Sequence, residues 1–144
     1  MDALLANDVL GACVIAWLIA QLSKPILHYA HSRTISLRYF VTAGGMPSSH
    51  SAVVVALATR VGFDAGLSSI AFALSAVFAA VVMYDAAGVR RAVSLQARIL
   101  NRMLTEMIEA QHFNEERLRE LVGHTPFEVF VGALIGVLSA ISLR

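Results

Sequence analysis

The chain has 144 residues, of which 58% are hydrophobic and 15% are charged, and its formal net charge is +1. Soluble domains carry about a quarter charged residues, so this composition argues against a soluble globular protein and favours an integral membrane protein. The single cysteine, Cys13, excludes an internal disulfide. The length suits one domain, which we expect to span residues 1–144.

Four apolar segments follow one another along the chain. A helix of about 20 apolar residues spans the hydrocarbon core of a bilayer. We therefore predict an all-α fold, a polytopic bundle of about four transmembrane helices. The predicted segments cover residues 3–22, 47–66, 67–87 and 126–143.

The stretch 44–51, GGMPSSHS, opens the second segment. Pro47 predicts a helix start, because proline is tolerated in the first helical turn. Ser48, Ser49 and His50 then lie in the opening turn, where backbone N–H groups and the helix dipole attract an anion. A histidine at such a site can give or take a proton. The alternative is a polar N-cap with His50 at the lipid headgroups.

A long polar region, residues 88–123, follows the third segment. It carries apolar residues at four-residue spacing, with arginines between them. The apolar residues are Leu95, Ile99, Met103 and Met107. This spacing predicts an amphipathic helix that lies on the membrane surface or against a partner helix.

The fourth segment contains Gly132 and Gly136, spaced as a small-xxx-small pair. Such a pair lets two helices approach closely, and it also allows a homodimer. The alternative is that these glycines have no packing role.

Four spans that alternate across the membrane place nine of the eleven basic residues on one side. These are Lys24, Arg33, Arg38, Arg90, Arg91, Arg98, Arg102, Arg117 and Arg119. The positive-inside rule then puts this side in the cytoplasm and both termini outside. Arg60 lies far enough along its segment to reach the opposite interface, next to Asp64.

The basic side also collects the unusual polar side chains of all four segments. Candidate phosphate-binding residues are Lys24, Ser48, Ser49, Arg90 and Arg91, and candidate catalytic residues are His50, Asp85, His124 and Glu128. Because His124 and Glu128 are four residues apart at a helix start, the carboxylate can orient the imidazole.

This set of residues suits phosphoryl transfer. Lysine and arginine neutralise phosphate oxygens, one histidine can attack phosphorus, and a second can protonate the leaving alkoxide. We expect neither a metal nor a cofactor, since the cations and the helix N-terminus can carry the charge. The basic residues have few aromatic neighbours, so we expect no nucleic-acid partner.

Each residue also has a purely structural alternative. Arg90 and Arg91 can anchor the topology beside lipid phosphates. Asp85 can pair with Arg90 or cap a helix, His124 can be a turn residue, and Lys24 can simply extend to the headgroups. The functional interpretation depends on all of them meeting at one face.

Three motifs, 44–52 GGMPSSHSA, 84–91 YDAAGVRR and 121–129 LVGHTPFEV, carry a family resemblance. Together they resemble the divergent branch of the type 2 phosphatidic acid phosphatase superfamily. That superfamily includes lipid phosphate phosphatases and vanadium haloperoxidases. The resemblance implies a membrane phosphatase fold over most of the chain.

The resemblance also implies roles for individual residues. His124 corresponds to the nucleophile, Glu128 to its orienting acid, and His50 to the group that protonates the leaving oxygen. Lys24 and either Arg90 or Arg91 correspond to the cations that hold phosphate.

Four departures from the wider superfamily pattern are visible. No Arg-Pro pair follows Lys24 at the distance that the superfamily has. Ser49 stands where the superfamily has glycine, and Glu128 stands where it has aspartate. A long amphipathic insert also separates Arg91 from His124.

We therefore predict a metal-independent phosphatase of lipid phosphates or of prenyl phosphates and diphosphates, acting through a phosphohistidine. Its expected partners are the lipid phosphate substrate and membrane lipids. The alternative is a catalytically silent scaffold that binds anions or lipid headgroups and recruits a partner through the helix near residues 95–107. A small transporter is disfavoured, because the polar groups lie at one interface and not at mid-membrane.

Overall fold

The computed structural model describes residues 7–34, 40, 44–110 and 124–143. These residues form five α-helices and no β-strand. The helices are α1 (Asp8–Ser32), α2 (Ser49–Ala65), α3 (Ile70–Ala87), α4 (Val89–Ala110) and α5 (Pro126–Ser142). The predicted all-α class is confirmed for this part of the chain.

Helix α1 is longer than the first predicted segment, because it continues through Pro25 to Ser32. Asn7 caps its start, where the side-chain oxygen accepts a hydrogen bond from the Leu10 N–H at 3.0 Å. Membrane helices accommodate an internal proline when neighbouring groups satisfy the freed carbonyl. The proline is therefore part of the helix and does not mark its end.

Two helices are long and apolar enough to cross a membrane, residues Asp8–Ala30 of α1 and Ile70–Ala87 of α3. Helix α5 is a shorter apolar helix, and α2 has 17 residues. A helix of that length reaches about 25 Å, slightly less than a typical hydrocarbon core of about 30 Å. Two of the four predicted spans thus meet the criterion of length and composition.

Helix α2 lies at the centre of the described bundle and packs against α1, α3 and α5. Since α1 and α5 also contact each other, these two helices and α2 form a three-helix core. Helix α3 lies mainly against α2, and within the described helices α4 contacts only α3. Side chains at the ends of the three core helices can therefore meet.

Small side chains fill the interior, while large apolar side chains face outward. Leu74 on α3 is 68% exposed and Phe130 on α5 is 60% exposed. Soluble domains bury such side chains, whereas close packing through small residues is typical of helices in a bilayer. The buried apolar residues of the described part are Ala12, Ala16, Ala20, Ala52, Val54, Ala56, Ala79, Ala86 and Ala140.

Two glycines bring the backbones of α2 and α5 into contact. A Cβ atom on Gly132 would lie 2.3 Å from the Ser48 carbonyl oxygen, and one on Gly136 would lie 2.4 Å from the Ala52 carbonyl oxygen. A side chain at either position would have to displace the neighbouring backbone. The small-xxx-small pair therefore packs helices within one chain.

We expect Gly132→Ala to destabilise the bundle, although alanine favours a helix by about 1 kcal/mol over glycine. The added methyl group forces α2 and α5 apart, and overpacking of this kind costs about 1–3 kcal/mol. Melting temperature in detergent micelles measures the effect. Gly11→Ala is the matched control, because its Cβ would lie 3.8 Å from Leu143 Cδ1, an ordinary contact. Equal melting temperatures for the two variants would contradict the packing role.

The buried side chain of Arg60 links α1, α2 and α5 at one end of the core. The Arg60 guanidinium binds Asp8 Oδ2 and Asp64 Oδ2, each at 3.1 Å. It also donates to the Leu143 carbonyl at 3.0 Å. These bonds join the start of α1, the end of α2 and the end of α5. The pairing with Asp64 agrees with the sequence prediction.

Candidate active site

At the other end of the core, the N-termini of α2 and α5 meet the C-terminal half of α1. The Ser48 N–H donates to the Glu128 carbonyl at 3.1 Å, which joins α5 to the start of α2. Lys24 Nζ donates to Ser49 Oγ at 3.4 Å, which joins α1 to α2. The structure therefore brings together six predicted site residues, Lys24, Ser48, Ser49, His50, His124 and Glu128.

The glycine-rich stretch forms the turn that starts α2. Gly45 has φ 88°, in the left-handed region that favours glycine, and the Met46–Pro47 peptide is cis. Ser48 is the N-cap, and its Oγ accepts hydrogen bonds from the Ser51 N–H at 3.3 Å and the Ser51 hydroxyl at 3.0 Å. The helix thus begins two residues after Pro47, since the serine side chain provides the cap.

The ammonium group of Lys24 lies buried between α1 and α2, with the residue only 2% exposed. Its Nζ donates to Gln21 Oε1 at 2.9 Å and to Ser49 Oγ at 3.4 Å. The Glu128 carboxylate also attracts it electrostatically. A buried ammonium needs such acceptors and countercharge. This burial disagrees with the alternative of a lysine that simply extends to the headgroups.

His124 is 1% exposed, and its Nδ1 lies 3.1 Å from Glu128 Oε2. An ionised carboxylate can only accept, so Nδ1 carries the hydrogen and Nε2 of the neutral ring has the lone pair. Glu128 Oε2 also accepts the Thr125 N–H at 3.0 Å, while Thr125 Oγ1 accepts the Glu128 N–H at 3.3 Å. This capping box fixes the carboxylate that orients the imidazole.

The imidazole rings of His50 and His124 lie next to each other. Their centroids are 6.2 Å apart and their planes form an angle of 62°. Nδ1 of His50 and Nε2 of His124 are both shielded from solvent. The two imidazoles are therefore close enough for one bound group to reach both.

The remaining predicted site residues lie at the end of α3 and the start of α4. Asp85 is half-buried in the last turn of α3, and the backbone of Arg90 and Arg91 belongs to the first turn of α4. The roles of these three residues stay predictions. Other parts of the sequence prediction lie outside the described residues, namely the side chains of Arg90 and Arg91, all of Arg38, Arg117 and Arg119, and the stretch 121–123.

Sequence reasoning missed Gln21. Its amide is buried, accepts a hydrogen bond from Lys24 Nζ at 2.9 Å and donates one to the Phe40 carbonyl at 2.8 Å. The spacing of three residues between Gln21 and Lys24 could have indicated the pair, because residues three apart in a helix lie on one face. A polar residue one turn before a lysine in an apolar helix therefore indicates a pair.

The described residues contain no group of three or more His, Cys, Asp or Glu side chains placed to hold a metal ion. Within the described part of the chain, the Lys24 ammonium and the N-termini of α2 and α5 offer positive charge to an anion. Such an arrangement suits a phosphate or another oxyanion.

A helical bundle with a small-residue core, two membrane-length helices and a site of lysine, two histidines and a carboxylate indicates a membrane protein with an oxyanion site. The chain belongs to the divergent PAP2 family, whose model matches residues 5–139. A relative in Bacillus subtilis (strain 168), named uncharacterized membrane protein YuiD, is 40% identical over 151 residues, covering 97% of this chain and 96% of the relative. No solved structure matches the chain. The family resemblance of the three motifs is thus confirmed.

Proposed function

We propose that this protein is a membrane-bound phosphatase that hydrolyses a lipid phosphate, or a prenyl phosphate or diphosphate. The observation that carries this proposal is the buried His124–Glu128 pair, 3.1 Å apart, with the His50 ring 6.2 Å from the His124 ring. The buried ammonium of Lys24 lies at the same helix ends. Membership of the divergent PAP2 family supports the same reaction class.

The first chemical step forms a phosphohistidine. Nε2 of His124 attacks phosphorus, the bond from phosphorus to the leaving oxygen breaks, and protonated His50 gives its proton to that oxygen. Glu128 stabilises the positive charge that the His124 ring gains when the N–P bond forms. The products are the free lipid alcohol, or a lipid monophosphate from a diphosphate, and the phosphorylated enzyme.

The second step hydrolyses this intermediate. Neutral His50 takes a proton from water, the resulting hydroxide attacks phosphorus, and the N–P bond breaks to release inorganic phosphate. Lys24, Ser49 and the α2 N-terminus hold the phosphoryl oxygens in both steps. Because these groups supply the positive charge, we expect turnover to persist when a chelator is present.

We further propose that α1, α2, α3 and α5 span the membrane and that α4 lies at the interface. The outward-facing large apolar side chains of α3 and α5 support this arrangement. Helix α4 starts two residues after α3 ends, and Leu95, Met103 and Met107 expose its apolar side. By the positive-inside rule the site faces the cytoplasm, where phosphatidate, phosphatidylglycerophosphate and prenyl phosphates are candidate substrates.

The test is phosphate release by purified protein in detergent, with EDTA, from a panel of lipid and prenyl phosphates and diphosphates. We expect chelator-resistant release from at least one of them. Labelling of Arg91→Cys from either side of the membrane, in a Cys13→Ser background, decides which leaflet supplies the substrate. Labelling from outside would favour undecaprenyl diphosphate.

A second candidate is a silent scaffold that binds anions or lipid headgroups, and the exposed apolar side of α4 favours it. It predicts that folded protein binds inorganic phosphate but releases none from any substrate in the panel. That result would replace the phosphatase proposal with the scaffold.

A further inference from the structure

We propose that Gln21 is a positioning residue that holds the Lys24 ammonium at the phosphate subsite and links it to the Phe40 carbonyl. Its contribution to turnover rests on the proposed phosphatase function. The geometry behind it is a continuous series of hydrogen bonds from Phe40 through Gln21 and Lys24 to Ser49.

Hydrogen bonds to Lys24 and Phe40 fix the orientation of the Gln21 amide. An ammonium group can only donate and a backbone carbonyl can only accept. Oε1 must therefore face Lys24 Nζ, at 2.9 Å, and Nε2 must face the Phe40 carbonyl, at 2.8 Å. With both ends bonded inside the protein, the amide has one stable position.

The fixed Gln21 amide restricts the rotamers of the Lys24 side chain. The long lysine stem has many rotamers in solution. Gln21 lies one helical turn before Lys24, so its Oε1 accepts from Nζ in the rotamer that also reaches Ser49 Oγ at 3.4 Å. The ammonium is therefore already directed toward the start of α2 before an anion arrives.

Two substitutions distinguish the contribution of the hydrogen bond to Lys24 from that of the hydrogen bond to Phe40. Gln21→Leu keeps a similar volume but removes both hydrogen bonds. Gln21→Glu keeps an acceptor for Lys24, loses the donor to Phe40, and adds a negative charge beside the bound phosphate. Ser23→Ala is the matched control, because Ser23 is half-buried on the same turns of α1 and donates only locally, to the Ala20 carbonyl at 2.9 Å.

The first measurement follows Lys24 directly, which is feasible because it is the only lysine in the chain. Formaldehyde and cyanoborohydride methylate it in detergent, and mass spectrometry of the Lys24 peptide gives the rate. We expect Gln21→Leu to raise this rate about fivefold, since one hydrogen bond to the ammonium is lost. Gln21→Glu and Ser23→Ala are expected to stay at or below the wild-type rate. A wild-type rate in Gln21→Leu, at an unchanged melting temperature, overturns the positioning role.

The second measurement is steady-state hydrolysis with inorganic phosphate as competitor. We expect Gln21→Leu to raise KM for the lipid phosphate and the inhibition constant of phosphate about tenfold, with a smaller change in kcat. Gln21→Glu is expected to raise both further, because its carboxylate repels the anion. Ser23→Ala is expected to match the wild type.

The two measurements can fail separately. If the wild type releases no phosphate, the phosphatase proposal fails, and the methylation rates still decide whether Gln21 positions Lys24. If the wild type is active and Gln21→Leu equals it in methylation rate and KM, the positioning role fails alone.

Discussion

Replacing His124 by alanine is expected to reduce phosphate release from every accepted lipid phosphate by on the order of 10⁴-fold or more. The reason is that, in the proposed mechanism, Nε2 of this ring forms the covalent bond to phosphorus, and water lacks the same fixed position beside the Lys24 ammonium. A second readout is the intermediate itself. Wild-type protein mixed with ³²P-labelled substrate should carry an acid-labile, alkali-stable label, and the variant should carry none.

Because His124 is fully buried, alanine leaves a cavity, and His124→Gln provides a second variant of similar size. Its amide N–H can still donate to Glu128, but it offers no nucleophile. His28→Ala is the matched control, since this imidazole lies near the end of α1 and contacts Ser32 Oγ at 3.0 Å. Labelled protein or wild-type turnover in a folded His124→Gln variant would remove His124 from the nucleophile role.

Replacing His50 by alanine is expected to have an effect that depends on the leaving group. Hydrolysis of a lipid phosphate should fall about 10²–10⁴-fold, because its alkoxide needs a proton. With p-nitrophenyl phosphate the first step should remain fast, since nitrophenolate leaves without protonation. The second step should be slow, because in the proposed mechanism the same histidine activates water. Rapid mixing should therefore show a burst of about one nitrophenolate per active site, followed by slow turnover.

The burst separates a proton-transfer role from a structural one. If His50 only shapes the α2 N-terminus, alanine should slow the first step equally for both substrates. The His28→Ala variant should behave as wild type with either substrate. A melting temperature for each variant shows whether the protein remains folded under the assay conditions.

Much of the fold could be predicted from the sequence, because helices in this chain follow from local apolar patterns. The end of the first segment was predicted at residue 22, where the apolar run ends, whereas α1 continues through Pro25 to Ser32. The contact of Arg60 with Asp64 was predictable from their spacing of four. The bond from Arg60 to Asp8, 52 residues away, depends on how α1 and α2 pack, which no local pattern encodes.

The same distinction applies to the site. The pair of His124 and Glu128 was predictable from the geometry of one helical turn. The alternating topology predicted that His50 would lie on the same side, but the approach of the two rings arises from the glycine contacts between α2 and α5. Gln21 was overlooked because an uncharged side chain gives a weak signal.

The contact of Gly132 with the Ser48 carbonyl has a consequence for how a lipid would be recognised. The backbones of α2 and α5 touch beside the site, so no hydrocarbon chain fits between these two helices. In the proposed function, a lipid bound at His124 would therefore place its tails outside the contact between α2 and α5. The α2–α5 contact would then discriminate between headgroups, and chain length or unsaturation would have little influence at this contact.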